Sequence, residues 1–316
     1  MEAARVTTPN SITEAIPDVS VVIVCWNNKR YLEPCLRSLF EADLHHCFEV
    51  TVIDNGSTDG TQAMVQEEFP QVRVIQNDHN VGLSRASNQG IIGARGRYVL
   101  LLNDDTLVNW VSLDAMLEFM DGHPGSAAAG GKLLNPDGTF QSGYASFSSL
   151  IQEFLIATRL GSIVASAYPL HGDGDKVREV DWLSSACLLL RRSALDQVGL
   201  LREDFFIYGD EVDLQYRLKQ AGWKVYYLPN VTTIHFGGRT LNRWQRRKMV
   251  YRGKLLFYKK NYGSLSTDAL RVMMGTLSLA KLAAWALAFL LPGWHERARE
   301  ESSSNLDVLR LCWRLE

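Results

Sequence analysis

The chain has 316 residues, 46% of them hydrophobic and 22% charged, a composition that fits one large folded domain or two ordinary ones. A net charge of -2 excludes a global nucleic-acid-binding signature. Cys25, Cys35, Cys47, Cys187 and Cys312 are scattered, odd in number and form no C-x-x-C pair, which argues against structural zinc and for a reducing compartment.

Residues 1–18 are polar, include Glu2 and Glu14, and lack the apolar stretch of a signal peptide; they read as a flexible lead-in. The run from Val19 to Cys25 reads as a buried strand ending in Trp26-Asn27-Asn28. Leu32, Leu36, Leu39 and Phe40 then fall at helical spacing. A second strand, residues 48–53, runs into the turn-rich loop Asp54-Asn55-Gly56-Ser57-Thr58-Asp59-Gly60, where Thr58 or Asp59 can cap a helix starting near Thr61. At that strand end Asp54 can accept from a nucleobase N–H or a ribose hydroxyl, or serve as a plain Asx-turn residue. Residues 72–75 form a short third strand, and Asn80-Val81-Gly82 leads into a helix reaching Ala94.

The run Tyr98-Val99-Leu100-Leu101-Leu102 is a strand buried on both faces, and it delivers Asn103, Asp104 and Asp105 to the rim of the sheet. Ligands of open α/β sheets bind at that rim. Clustered carboxylates are costly there unless something positive lies between them, and a hard divalent cation shared with a diphosphate suits the residue types. The plainer reading is a polar loop whose Asp caps the next helix. No Gly-x-Gly-x-x-Gly follows the first strand and no P-loop occurs, which weakens dinucleotide and NTPase readings.

Further on, the pattern predicts a helix over 110–120, a strand over 127–134 and a hairpin turn at Asn135-Pro136-Asp137-Gly138. Residues 141–178 carry weak signals, read as mobile loops with a short helix near 151–158. Residues 180–191 read as one strand with small residues, Ser184-Ser185-Ala186, at its middle, which either admit a ligand or pack beneath a helix. The aromatic run Phe205-Phe206-Ile207-Tyr208 precedes Asp210, Glu211 and Asp213 at the start of a helix. Acids suit a helix N-terminus; three below an aromatic run also suit a site with a general base. Strands over 223–228 and 231–238 follow, the second carrying His235.

From Arg239 to Lys260 there are nine Lys and Arg and no acid. Leu241, Trp244, Tyr251 and Leu255 in that block fall roughly on one helical face. Residues 272–291 are largely apolar, but Lys281 near their middle makes them a poor transmembrane span. A basic segment followed by an apolar helix suits an anionic membrane surface; the alternative is a helical subdomain or a dimer interface against the catalytic core.

Seven motifs in order over residues 19 to about 260 give the chain a family resemblance: Val21–Asn27, Asp54–Gly60, Asn80-Val81-Gly82 with Asn88-Gln89-Gly90, Leu101–Asp105, Trp182–Ala186, Asp210–Leu214 and Ile234–Gly238. The chain resembles an inverting family 2 glycosyltransferase of the GT-A fold, in the rhamnosyltransferase-like branch. The resemblance implies an α/β, Rossmann-like, mostly parallel sheet flanked by helices, with a catalytic domain over 19–240; the charge and hydropathy pattern adds C-terminal basic and apolar, membrane-associating helices over 241–316. It implies donor binding by Trp26, Asn27, Asp54, Asn80, Gly82, Asn88, Asn103 and Asp104, and Mg or Mn on Asp105 with His235. It also implies Glu211 or Asp210 as base, and an acceptor side of Trp182, Ser184, Ser185 and Asp213. Three features depart from the family pattern: Asp210-Glu211 reverses the usual Glu-Asp order, Trp26 replaces a tyrosine, and Asn103 opens the DXD-type motif. The implied partners are a dTDP- or UDP-sugar, a glycan or lipid-linked acceptor and the inner face of the plasma membrane, with no nucleic acid and a homodimer as an option. The competing readings are a nucleotidyltransferase, which would carry a Gly-rich basic loop after the first strand, and an inactive scaffold, which would tolerate loss of the carboxylates.

Overall fold

The computed structural model describes residues 16–41, 46–158, 160, 176–237 and 242–314. Its first half alternates strand and helix: β1 (Val19–Cys25), α1 (Lys29–Phe40), β2 (Phe48–Asp54), α2 (Thr61–Glu68), β3 (Arg73–Gln76), α3 (Leu83–Gly93) and β4 (Tyr98–Asn103). These strands pair in parallel in the order β3-β2-β1-β4. Both faces are covered, so the apolar runs are continuous. Tyr98, Leu100 and Leu102 enter one buried cluster while Val99 and Leu101 enter the other. On α1, Leu32, Cys35, Leu36 and Leu39 form the buried stripe, at spacings of three and four.

The chain then doubles back through β5 (Thr106–Val108), α4 (Trp110–Gly122), β6 (Ser126–Leu134), β7 (Phe140–Gln141), β8 (Tyr144–Ala145), α5 (Leu150–Thr158), β9 (Arg178–Glu179), β10 (Trp182–Leu183), β11 (Cys187–Arg191) and α6 (Arg192–Val198). It closes with α7 (Asp210–Gln220), β12 (Lys224–His235), α8 (Arg243–Asn261), α9 (Gly263–Ala288) and α10 (His295–Arg314). Beyond β4 the sheet continues β11-β6-β12-β5, with β11 antiparallel to both neighbours. The result is the mixed, mostly parallel sheet with flanking helices expected from the sequence.

Two strand assignments change. The strand expected over 180–191 is two strands in two sheets: β10 joins β8 in a ribbon, and β11 joins the main sheet. Ser184 makes the break, its Oγ accepting from Ala186 N–H in a tight turn. The two strands expected over 223–238 are one, β12, whose register against β6 slips between Leu228 and Thr232. Pro229 lies in the slip, where a residue without an N–H cannot join the ladder.

A third cluster joins the C-terminal helices to the body: Phe205, Leu255, Phe257, Tyr258, Leu270, Met274, Val308 and Cys312. The short helix expected near 151–158 is α5. Most of the lead-in, residues 161–175, Gly238, Arg239 and Leu241 lie outside the described residues. All five thiols are free; four are buried and Cys47 is exposed. Burial pushes the Cys35 thiol up to about 12 and the Cys187 thiol up to about 11, and raises Cys25 and Cys312 as well.

Candidate active site

Asn103 ends β4, opposite Val24 of β1. After Asp104 and Asp105 the chain reverses into β5, which pairs antiparallel with the end of β12 and sets His235 opposite Thr106. Phe236 N–H donates to Asp105 O at 2.9 Å, closing the zipper. His235 Nε2 thereby lies 3.2 Å from Asp105 Oδ1 and 3.2 Å from Asn103 Nδ2. Gln141 fixes the ring. Its Nε2 donates to Asn135 Oδ1 and His235 O, so its Oε1 faces His235 Nδ1 at 2.5 Å. With Nδ1 as the donor to Gln141, Nε2 faces the acidic loop. Burial, with Asp105 alongside, raises the Asp104 carboxyl to about 7.

The second acidic group sits on α7. The loop before it is held from two sides. On one, Leu83 N–H donates to Phe206 O and Ser84 Oγ to Phe205 O, both at 2.6 Å. On the other, Gly253 of α8 abuts Tyr208; a Cβ there would lie 2.2 Å from Tyr208 O. Between these supports Tyr208 takes φ +66°, a strained value for a non-glycine residue, and Gly209 φ +94° starts the helix. Asp210 is buried, and half-buried Glu211 accepts from Gly209 N–H at 3.1 Å. Burial and the adjoining Asp210 push Glu211 up to about 8, and burial raises Asp210 too. Gln215, one turn on and fully buried, accepts from Leu183 N–H and donates to Leu183 O and Glu211 O. It locks the helix of the acids to β10.

Both acidic groups open into one cavity of about 900 Å³. Trp26, Asn80, Asn103, Asp104 and Asp105 line it with His235, Asp210 and Glu211, as do Trp182, Ser184 and Ser185. Asn103 N–H donates to Ala186 O at 3.0 Å, which ties the serine turn to the acidic loop. Arg246 of the basic block also lines it, 6.0 Å over the Tyr208 ring. Since α8 supplies a wall, the boundary expected at 240/241 does not separate the site from the C-terminal helices.

Five expected site residues do not line the cavity. Asn88 is buried, with its amide spent on Leu201 and Glu203, so it pins a loop. Asp213 is fully buried against Arg202, Arg217 and Asn261, where it ties α7 to α8. Gly82 acts indirectly: its φ is +89°, and a Cβ would sit 2.8 Å from the Phe206 ring. Asn27 is exposed, and its side chain accepts from Thr58 N–H. Asp54 is fully enclosed; Oδ1 accepts from Ser57 N–H, and Oδ2 has no partner among the described residues. Asn55, its neighbour, lines the cavity instead. Gln141, Glu153, Gln215 and Lys254 were not anticipated: single glutamines and a lone charge pair 101 residues apart leave no pattern in a sequence.

Comparison with known proteins agrees with this architecture. The profile described as glycosyl transferase family 2 matches residues 20–199. An N-acetylglucosaminyl-diphospho-decaprenol L-rhamnosyltransferase of Mycobacterium tuberculosis is 33% identical over 248 residues, 73% of this chain and 79% of the relative. Among solved structures, a mannosyltransferase of Pyrobaculum calidifontis in complex with GDP-Man and Mn2+ has a TM-score of 0.58 at 14% identity, over 95% of this chain and 88% of the other. GalNAc-T7 with UDP, GalNAc and Mn2+ has a TM-score of 0.54 at 14% identity, over 78% of this chain and 51% of the other. The structural likeness shows the GT-A fold, and the sequence match over more than half of the chain shows that it belongs to glycosyl transferase family 2, as a glycosyltransferase close to a rhamnosyltransferase.

Proposed function

We propose that the chain transfers a sugar, L-rhamnose first among candidates, from a dTDP- or UDP-sugar to a hydroxyl of a lipid-linked glycan with inversion. One observation carries this reading: the Asp105–His235 pair and the Asp210–Glu211 pair face a single cavity. The relative's printed acceptor, N-acetylglucosaminyl-diphospho-decaprenol, supports a lipid diphosphate acceptor.

In this reading Glu211 takes the proton of the acceptor hydroxyl as its oxygen attacks the anomeric carbon from the face opposite the leaving nucleoside diphosphate. Asp210, beneath it, keeps its affinity for that proton high. Trp26 and Asn55 line the place of the nucleoside, the enclosed Asp54 holds the loop behind them, and Arg246 meets the diphosphate. Asp105 and His235, with their oxygen and nitrogen 3.2 Å apart, would hold a divalent cation. Two protein ligands fit Mg or Mn, which complete their shells with phosphate oxygens and water. When bound, such a cation stabilises the charge on the leaving diphosphate.

A panel of nucleotide-sugars with a polyprenyl-diphosphate N-acetylglucosamine acceptor tests the reading. Metal-dependent release of nucleoside diphosphate with a glycosylated acceptor is the expected result. Pyrophosphate release would instead mark a nucleotidyltransferase, and no release from any donor an inactive scaffold.

For location, α9 is by length and composition able to cross a membrane. It packs instead on α5, α8 and α10, and Lys281 Nζ donates to Ala157 O at 2.9 Å. We read it as lying on the cytoplasmic membrane face. Its outer side carries Leu265, Val272 and Leu279, exposed at seven-residue intervals.

A further inference from the structure

The far wall of the cavity is built by α5 and α8, and α5 is inverted relative to an ordinary surface helix. Gln152, Glu153 and Ile156 line the cavity, while Ile151 and Phe154 are exposed on the outside. Glu153 is only 4% exposed. Its Oε2 accepts from Lys254 Nζ at 2.6 Å, and its Oε1 is buried with no hydrogen-bond partner among the described residues. Buried polar atoms in folded proteins are almost always partnered, so an orphan on a cavity wall marks a place where a ligand supplies the donor. Lys254 supplies one charge-assisted bond and so keeps the carboxylate affordable; it leaves the other oxygen open.

The location narrows the ligand. Lys254 follows Gly253, the residue that abuts Tyr208 just before Asp210 and Glu211. The pair thus lies on the α8 wall, the wall that touches the loop leading to the base, whereas the expected contacts of the nucleoside come from β1, β2 and β4. A carboxylate repels a diphosphate and attracts a neutral donor. We propose that Glu153, oriented by Lys254, is a specificity residue for the acceptor: Oε1 accepts an O–H or amide N–H from the sugar ring that carries the attacking hydroxyl. This rests on the transferase reading above.

The test uses the full chain, the nucleotide-sugar selected by the panel, and a short-chain polyprenyl diphosphate bearing N-acetylglucosamine. It adds analogues of that acceptor, each lacking one hydroxyl or the acetamido N–H. Glu153→Gln should raise acceptor KM about tenfold, the scale of a lost hydrogen bond to a charged group. Affinity for the free nucleoside diphosphate, measured by calorimetry, should stay at the wild-type value. One analogue should cost the wild type about tenfold in kcat/KM and cost the variant almost nothing, because its partner is gone. A merely structural pair would not produce that selective indifference. Should Glu153→Gln fold poorly, the Glu153→Gln/Lys254→Met double variant removes both charges, and the same analogue comparison is made on it. The proposal is overturned if wild type and variant lose equally with every analogue, if kcat falls at unchanged acceptor KM, or if nucleoside diphosphate affinity drops. Those results leave the transferase reading intact. A wild-type chain that transfers from no donor overturns both.

Discussion

The acidic pair on α7 works by being uncomfortable. As the proposed base, Glu211 works only when ionised, and burial beside Asp210 delays ionisation to about pH 8. Turnover under kcat/KM conditions should therefore rise with pH up to about 8 and then level, with the apparent value belonging to the pair. Glu211→Gln should lower kcat by ~100-fold or more while sparing donor affinity, and steady-state kinetics with donor calorimetry separate the two. If turnover stays near wild type, the base is Asp210. The same discomfort appears in stability. A carboxyl whose folded value is raised stabilises the fold fully below its ordinary value of 4.5, and that contribution is lost as pH rises towards about 8. Melting temperature should thus fall between pH 5 and 8, less steeply in Glu211→Gln. At the other acidic group, Asp105→Ala should abolish metal-dependent turnover, as read by product release with and without added Mn2+. Asp54→Ala should raise donor KM more than it lowers kcat, because it frees the Ser57 turn beside Asn55, which lines the cavity, and a nucleoside contact is made equally in ground and transition states. A pure kcat effect there would show that this loop does not set donor binding.

Between elements, contacts made by residues without chemistry of their own set the site. Gly253 lets α8 touch the strained Tyr208 loop, and Gly253→Ala would put a methyl within 2.2 Å of a carbonyl oxygen. The backbone must shift, so we expect a loss of about 1–3 kcal/mol by denaturant unfolding and a larger proportional loss of kcat. Gln215→Leu should release β10 from α7 and raise acceptor KM with little change in donor KM, which steady-state kinetics can read. None of these couplings is legible in a sequence. The strands, the acidic loops and their order were legible, because apolar runs and strand-end acids are local patterns. Asn88 and Asp213 sit in the right motifs yet serve the fold, since motif membership does not say which way a side chain points. The break at Ser184 and the fusion at Pro229 were missed because pairing partners, not propensity, decide where a strand ends. The role of α8 was hidden for the same reason: its basic residues are visible, but the wall it makes depends on packing against α5 and α7.

At the level of the whole molecule, the exposed stripe on α9 and the apolar turn after it, Leu290 and Leu291, follow directly on the basic helix α8. Full-length protein should float with anionic liposomes at low salt and be released by high salt. Deleting α9 and α10 would be a poor control, because Leu255, Phe257 and Tyr258 would lose their cover. Leu265→Glu/Val272→Glu/Leu279→Glu alters only exposed positions, and should abolish flotation with an unchanged melting temperature; flotation at the wild-type level would leave α9 without a membrane role. The distribution of thiols offers a way to watch this. Four are enclosed and resist ionisation, while Cys47 is exposed just ahead of β2, at the end of that strand opposite the Asp54 rim. A maleimide dye should therefore settle on one native position seven residues of strand away from the chemistry, which makes the unmodified enzyme its own reporter of tilt and distance at a bilayer.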